Sequence, residues 1–195
     1  MDKRLLPYFE SVNDGAAQGD YLSEFGPKEV QGGICLHLVI TWMYFYKKDA
    51  QNTAPNIIWQ RMKQPEIIKQ IAQNQLAYTK EHYNVLENIN FYKIIAMQNT
   101  QECRSLNQLL EKSVLDFSKS SMFLLVIDLE RNSALIGRHA IGVIRHNGKI
   151  YMYDPNAGVL SVEEGRENEL LDIIRYIYEE KAQCTIPRIQ VYSII

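Results

Sequence analysis

Residues Arg138-His139-Ala140-Ile141-Gly142-Val143-Ile144-Arg145-His146-Asn147-Gly148-Lys149-Ile150-Tyr151-Met152-Tyr153-Asp154-Pro155-Asn156 decide the fold. Two apolar-rich runs flank Asn147-Gly148, a pair that accepts positive φ at both central positions of a type I′ turn and is the strongest short-range signal for a β-hairpin. A two-residue turn fixes the register. His146 then faces Lys149, Ile141 faces Asp154, and His139 becomes a diagonal neighbour of Asp154 on one face of the hairpin. Diagonal pairs lie about 7–8 Å apart between Cα atoms, near enough for an imidazole and a carboxylate to meet. Val143, Ile150 and Met152 share that face, so His139 and Asp154 are aimed from the end of the hairpin toward the core.

Outward from the hairpin the pattern stays strand-like at 123–127 and 189–194, both short apolar runs. Between them, 162–181 carries Leu170, Leu171, Ile174, Ile177 and Tyr178 on one helical stripe. Upstream, about 33–120 reads as helical, with Leu106, Leu109, Leu110, Val114 and Phe117 recurring at helical spacing behind a Ser105-x-x-Gln108 capping box. Asn and Gln are dense between Gln51 and Gln108, but Ile, Leu and Tyr interleave with them, as on solvated helix faces. Helices first and strands from about 121–195 predict an α+β fold with a mainly antiparallel sheet. No repeat and no Gly/Ser/Pro-rich linker divides the chain, so residues 1–195 are expected to form a single domain.

Composition narrows the function classes. The 195 residues are 46% hydrophobic and 23% charged, with a net charge of −2, which is ordinary for a folded domain. No run of basic residues supports binding to nucleic acid or to an anionic membrane. The longest apolar stretches, 38–46 and 122–127, are too short to cross a bilayer. Residues 1–8 lack the apolar block of a classical signal peptide. Three cysteines, Cys35, Cys103 and Cys184, without CxxC spacing, suggest neither a disulfide framework nor a zinc ribbon, and a reducing compartment fits best.

A second stretch carries chemistry. Gln31-Gly32-Gly33-Ile34-Cys35 leads into Leu36-His37-Leu38-Val39-Ile40-Thr41-Trp42-Met43-Tyr44-Phe45-Tyr46, which is apolar nearly all round and so predicts a core helix beginning after the glycine break. Cys35 falls in its first turn, where the helix dipole and unpaired N–H groups stabilise a thiolate. Taken alone, Cys35 also suits the role of a small buried apolar residue. His139, taken alone, also suits an interior histidine satisfied by Asp154, with Asp154-Pro155-Asn156 a turn that closes the strand. Together the three form a nucleophile, a base and an orienter, in the chain order Cys, His, Asp.

Cys35-x-x-Leu38-x-x-x-Trp42, followed far downstream by His139-Ala140-Ile141-Gly142-Val143 and Tyr153-Asp154-Pro155-Asn156-Ala157-Gly158, resembles the YopT/AvrPphB type of papain-like cysteine peptidase. Bacterial virulence effectors and toxin modules make up that family. The resemblance implies a papain-like fold with a nucleophile at Cys35, a general base at His139 and an orienting acid at Asp154. It implies a thiol peptidase that cleaves a protein substrate through an acyl-thioester, without a cofactor. It further implies a chain that stays in the cytoplasm or is exported by a specialised system into a host cell, with a host signalling protein as one substrate class. Deamidase, transglutaminase and acyltransferase activities use the same chemistry, and a non-catalytic interaction module is the rival from another class.

Two positions depart from the family pattern. Papain-like enzymes place an amide side chain several residues before the nucleophile to complete the oxyanion hole. Here the nearest is Gln31, four residues upstream, while the usual offset of six lands on Glu29. Asn156 faces His139 in the inferred register and is the alternative orienter. His37 lies about 200° around a helix from Cys35, which argues against it as the base. A metal site at Cys35, His37 and His139 lacks a fourth ligand and any recognised spacing. Cys103 and Cys184 read as core or surface thiols, and His82 and His146 as solvent-facing.

Overall fold

Asn147 at φ 48° and Gly148 at φ 76° form the tip of the hairpin in the computed structural model, and both lie in the left-handed region that a type I′ turn requires. The structure describes residues 3–9, 34–49, 52–62, 64–81, 97–111 and 114–194. Among the described residues, in chain order, the elements begin with a 3-10 turn (Leu6–Tyr8), helices α1 (Cys35–Lys48), α2 (Pro55–Met62) and α3 (Pro65–Glu81), strand β1 (Met97–Cys103) and a one-turn helix α4 (Gln108–Glu111). Strands β2 (Met122–Arg131), β3 (Ala134–His146), β4 (Lys149–Asp154) and β5 (Gly158–Glu163) follow, then helix α5 (Glu167–Arg175), a π-helical segment (Tyr176–Lys181) and strand β6 (Thr185–Ile194). The six strands form one antiparallel sheet in the order β1-β6-β2-β3-β4-β5. The β3–β4 ladder runs from His146 opposite Lys149 to Gly142 opposite Tyr153, in the register expected from the turn.

Three elements differ from the sequence reading. The span 33–120 was expected to be helical, yet β1 lies inside it and pairs with β6 at the sheet edge. Its Met-Gln-Asn-Thr-Gln-Glu-Cys sequence lacks the apolar alternation that marks a half-buried strand. The helix expected from Ser105 onward is only one turn. Gln108 accepts a hydrogen bond from the Arg104 N–H at 2.9 Å, one residue before the Ser105 of the expected box, and Val114 and Phe117 reach the core without a helix. The start of the stripe at 162–181 belongs to β5, whose five consecutive buried residues show no period of two. A run buried on both faces cannot be told from a helix by periodicity alone.

The sheet is covered on both sides. Along β2, alternate residues Met122, Leu124 and Val126 join the cluster under α1, α2 and α3, while Phe123, Leu125 and Ile127 join the cluster under α5 and the 103–115 segment. This double burial is why 122–127 reads as unbroken apolar sequence. Helix α1 buries every residue from Leu36 to Met43, including His37 and Thr41. It packs on β3 where that strand carries no side chain. A Cβ at Gly142 would lie 2.9 Å from both Trp42 Cζ3 and Val39 Cγ1. Trp42 is pinned in turn by donating from Nε1 to the Pro55 carbonyl at 2.9 Å. Its ring lies 5.3 Å from that of Tyr153, which lies 4.8 Å from the ring of Trp59. Tyr153 is therefore clamped on the α1 side of β4, and alternation sends Asp154 to the other side.

Candidate active site

The site forms where the first turn of α1 meets β3 and the end of β4. Asp154 is fully buried and His139 is 3% exposed, while Cys35 is only partly buried. His139 Nε2 and Asp154 Oδ1 are 2.9 Å apart, which makes the imidazole the donor to the carboxylate. That bond occupies one ring nitrogen. Nδ1 is left for Cys35, with which His139 shares a side-chain hydrogen bond.

Asp154 has a donor on each oxygen. Oδ1 also accepts the Asn156 N–H at 2.8 Å, the turn through which Asp154-Pro155-Asn156 closes the strand. Oδ2 accepts the Tyr178 hydroxyl at 2.7 Å. The structural and the catalytic readings of this tripeptide are thus compatible, since one carboxylate serves both the turn and the histidine.

The electrostatics of the pair point one way. Burial alone would raise the Cys35 thiol. The hydrogen bond and charge of His139, with the backbone N–H groups of Ala140 and Leu36, outweigh burial and hold the thiol below its ordinary value of 9.0. Burial alone would lower His139, but the charge and hydrogen bond of Asp154, and then those of Cys35, push it up to about 10. Both shifts favour the thiolate–imidazolium form of the pair over the neutral thiol and imidazole. Tyr178 is driven well above its ordinary value by burial and then by Asp154, so it stays a neutral donor.

Cys35, His139 and Asp154 are thus brought together, and Asp154 rather than Asn156 bonds the imidazole. Asn156 is exposed; its backbone N–H reaches Asp154 and its side chain hydrogen-bonds Tyr178. Gln31 lies outside the described residues, as does His82. His37 is buried against α3, with Nδ1 2.9 Å from Gln75 Oε1. His146, read as solvent-facing, is half-buried, with Nδ1 3.1 Å from the Tyr46 hydroxyl. Cys103 and Cys184 are both buried. Tyr178 is the site residue the sequence reading missed, because its place on the apolar stripe of 162–181 reads as packing alone. Among the described residues no helix is long and apolar enough to cross a membrane, and no three His, Cys, Asp or Glu side chains group as metal ligands.

An α+β chain with helices on both faces of an antiparallel sheet, and with Cys35, His139 and Asp154 gathered where α1 meets β3 and the end of β4, has a papain-like fold. Among solved structures it is similar to the Pseudomonas avirulence protein AvrPphB, with a TM-score of 0.59 and 14% identity over 89% of this chain and 99% of that one. PatoxP, a cysteine protease-like domain of the Photorhabdus asymbiotica toxin PaTox, aligns with a TM-score of 0.49 and 11% identity over 92% of this chain and 52% of that one. No protein-family model matches the chain, and no curated protein matches it in sequence. At such low identity the likeness to AvrPphB establishes the fold, and the site must be argued from its own atoms.

Proposed function

We propose that this protein is a thiol peptidase that cleaves a peptide bond in a protein substrate through an acyl-thioester on Cys35. The observation that carries the proposal is the chain of Cys35, His139 and buried Asp154, in which the thiol is lowered and the imidazole raised. A purely structural cysteine has no need of such a partner. The Cys35 thiolate attacks the carbonyl carbon, and the C–N bond breaks as the His139 imidazolium gives its Nδ1 proton to the leaving amine. Neutral His139 then takes a proton from water. The resulting hydroxide adds to the thioester carbon, the C–S bond breaks, and the thiolate–imidazolium pair is restored. Asp154 holds the ring and stabilises its charge throughout. The Cys35 backbone N–H, in the first turn of α1, and the Gln31 amide are the donors assigned to the oxyanion.

The resemblance to avirulence proteins and toxin modules supports a bacterial effector that acts inside a host cell on a signalling protein, or on its own precursor. The test is to incubate the protein with a proteome-derived peptide library and read new N-termini by mass spectrometry, with Cys35→Ala as the paired control. New termini made only by the parent protein support peptidase activity. A one-dalton gain or a cross-link in place of cleavage would replace it with deamidation or acyl transfer. Equal products from the Cys35→Ala variant would overturn the assignment of the nucleophile.

A further inference from the structure

The sequence places Tyr178 on the stripe of an amphipathic helix, but the structure breaks the α-helix two residues earlier. Over Tyr176–Lys181 the chain takes a π-helical turn, closed by the Ala182 N–H to the Ile177 carbonyl at 3.1 Å and the Cys184 N–H to the Tyr178 carbonyl at 2.9 Å. Tyr176, Ile177 and Tyr178 are all buried, three in a row. Isolated π turns are rare, and they occur frequently at functional sites because the wider turn re-aims a side chain. Here the re-aimed side chain is Tyr178. Its hydroxyl lies 2.7 Å from Asp154 Oδ2, and its ring centroid lies 5.4 Å from that of His139.

The division of labour on the carboxylate is the telling feature. His139 and the Asn156 N–H both use Oδ1, so together they restrain the carboxylate through one oxygen only. Tyr178 holds the other oxygen. We infer that Tyr178 is the positioning residue of this site: its hydroxyl clamps Asp154 Oδ2 so that Oδ1 stays aligned with His139 Nε2, and its ring keeps water off that bond. The inference rests on the Cys-His-Asp reading above and adds a fourth member, itself hydrogen-bonded by the Asn156 side chain, whose hydroxyl acts through Asp154.

The experiment uses the intact chain and needs no substrate. Alkylation of Cys35 by iodoacetamide is followed by mass spectrometry from pH 5 to 10 for the parent, Tyr178→Phe, Asp154→Asn and the double variant. The His139 ring nitrogens are read by NMR, and each variant is melted to identify folded protein. Tyr178→Phe is expected to slow alkylation at pH 6 about three- to tenfold, as expected for one lost hydrogen bond. It is also expected to move the midpoint of the pH profile upward and to shift the signal of the His139 Nε2 proton. In the Asp154→Asn background the same change is expected to alter the rate less than twofold. Replacing Tyr178 with p-aminophenylalanine, which keeps the ring and an N–H donor, is expected to restore the parent profile, and a structural role limited to filling space would not distinguish it from phenylalanine.

A folded Tyr178→Phe variant with the parent's profile and His139 signal would overturn the inference, as would equal slowing in both backgrounds. Should Tyr178→Phe fail to fold, the p-aminophenylalanine variant decides: a parent-like His139 signal supports the clamp, and a shifted one overturns it. If Asp154→Asn itself leaves the Cys35 profile unchanged, the Cys-His-Asp reading fails, and the role of Tyr178 fails with it.

Discussion

Replacing Gly142 with alanine tests whether the seating of α1 on the sheet sets the chemistry of Cys35. The new Cβ would stand 2.9 Å from Trp42 Cζ3, 2.9 Å from Val39 Cγ1 and 3.0 Å from Trp42 Cε3. Carbon atoms pack best at about 3.5–4.0 Å, so about 0.6–1 Å must be found. Neither neighbour has room to give. Trp42 and Val39 are fully buried, and the indole is held by Pro55 and Tyr153. The helix itself must therefore move away from β3. Overpacking of this kind costs about 1–3 kcal/mol, which lowers the melting temperature by about 2–12 °C for a chain of this size.

Cys35 sits one turn before Val39 on the same rigid helix, so the retreat also separates its sulfur from the imidazole. A misplacement of about 1 Å can cost on the order of a hundredfold in rate. Alkylation of Cys35 at pH 6, which depends on the His139 partner, is expected to slow by about ten- to a hundredfold. Gly148→Ala supplies the control. It is strained at φ 76° with nothing within 4 Å, so it is expected to destabilise the fold without slowing Cys35. A Gly142→Ala variant that melts within a degree of the parent and alkylates at the same rate would show that this contact does not position the nucleophile.

Three further outcomes are expected. Because the Cys35 thiol is lowered from 9.0 and His139 is raised to about 10, alkylation should stay fast well below pH 9. Turnover should fall as pH rises through about 10, where the leaving amine loses its proton donor; a thiol profile centred near 9 would remove the ion pair. Asp154→Asn is expected to lower turnover by about 10³–10⁴-fold, as for an orienter whose charge and tautomer selection are lost. Asn156→Ala should cost less than Asp154→Asn, about tenfold at most, since alanine keeps the backbone N–H that Asp154 accepts and loses only the side-chain bond to Tyr178; the reverse ranking on one substrate would make Asn156 the orienter. Cys35→Ala should abolish turnover while melting within about 2 °C of the parent, since a partly exposed thiol adds little packing.

Much of the site was legible because its signals are local. Asn147-Gly148 dictates a type I′ turn through its tolerance of positive φ, and the turn alone sets the register that carries Asp154 to His139. The all-round apolar run after Cys35 marks a core helix, and it is buried from Leu36 to Met43, with Tyr44 and Phe45 half-buried near its end. The failures share a physical origin as well. Strand β1 owes its conformation to hydrogen bonds from β6, far along the chain, and its own side chains carry no trace of them. Strand β5 is buried on both faces and so loses the alternation that identifies strands.

The sequence by itself determined that Cys35 opens a buried helix and that His139 and Asp154 share one face of a hairpin, because turn chemistry and helix burial act within a few residues. Only the tertiary structure decided that Cys35 joins them and that Tyr178 does too. Cys35 reaches His139 because Gly142 lets α1 lie against β3, and Asp154 is aligned because a π turn after α5 returns Tyr178 to it. Those contacts join segments remote in sequence. Periodicity reports which face of an element is apolar, but it carries no information about what that face will touch.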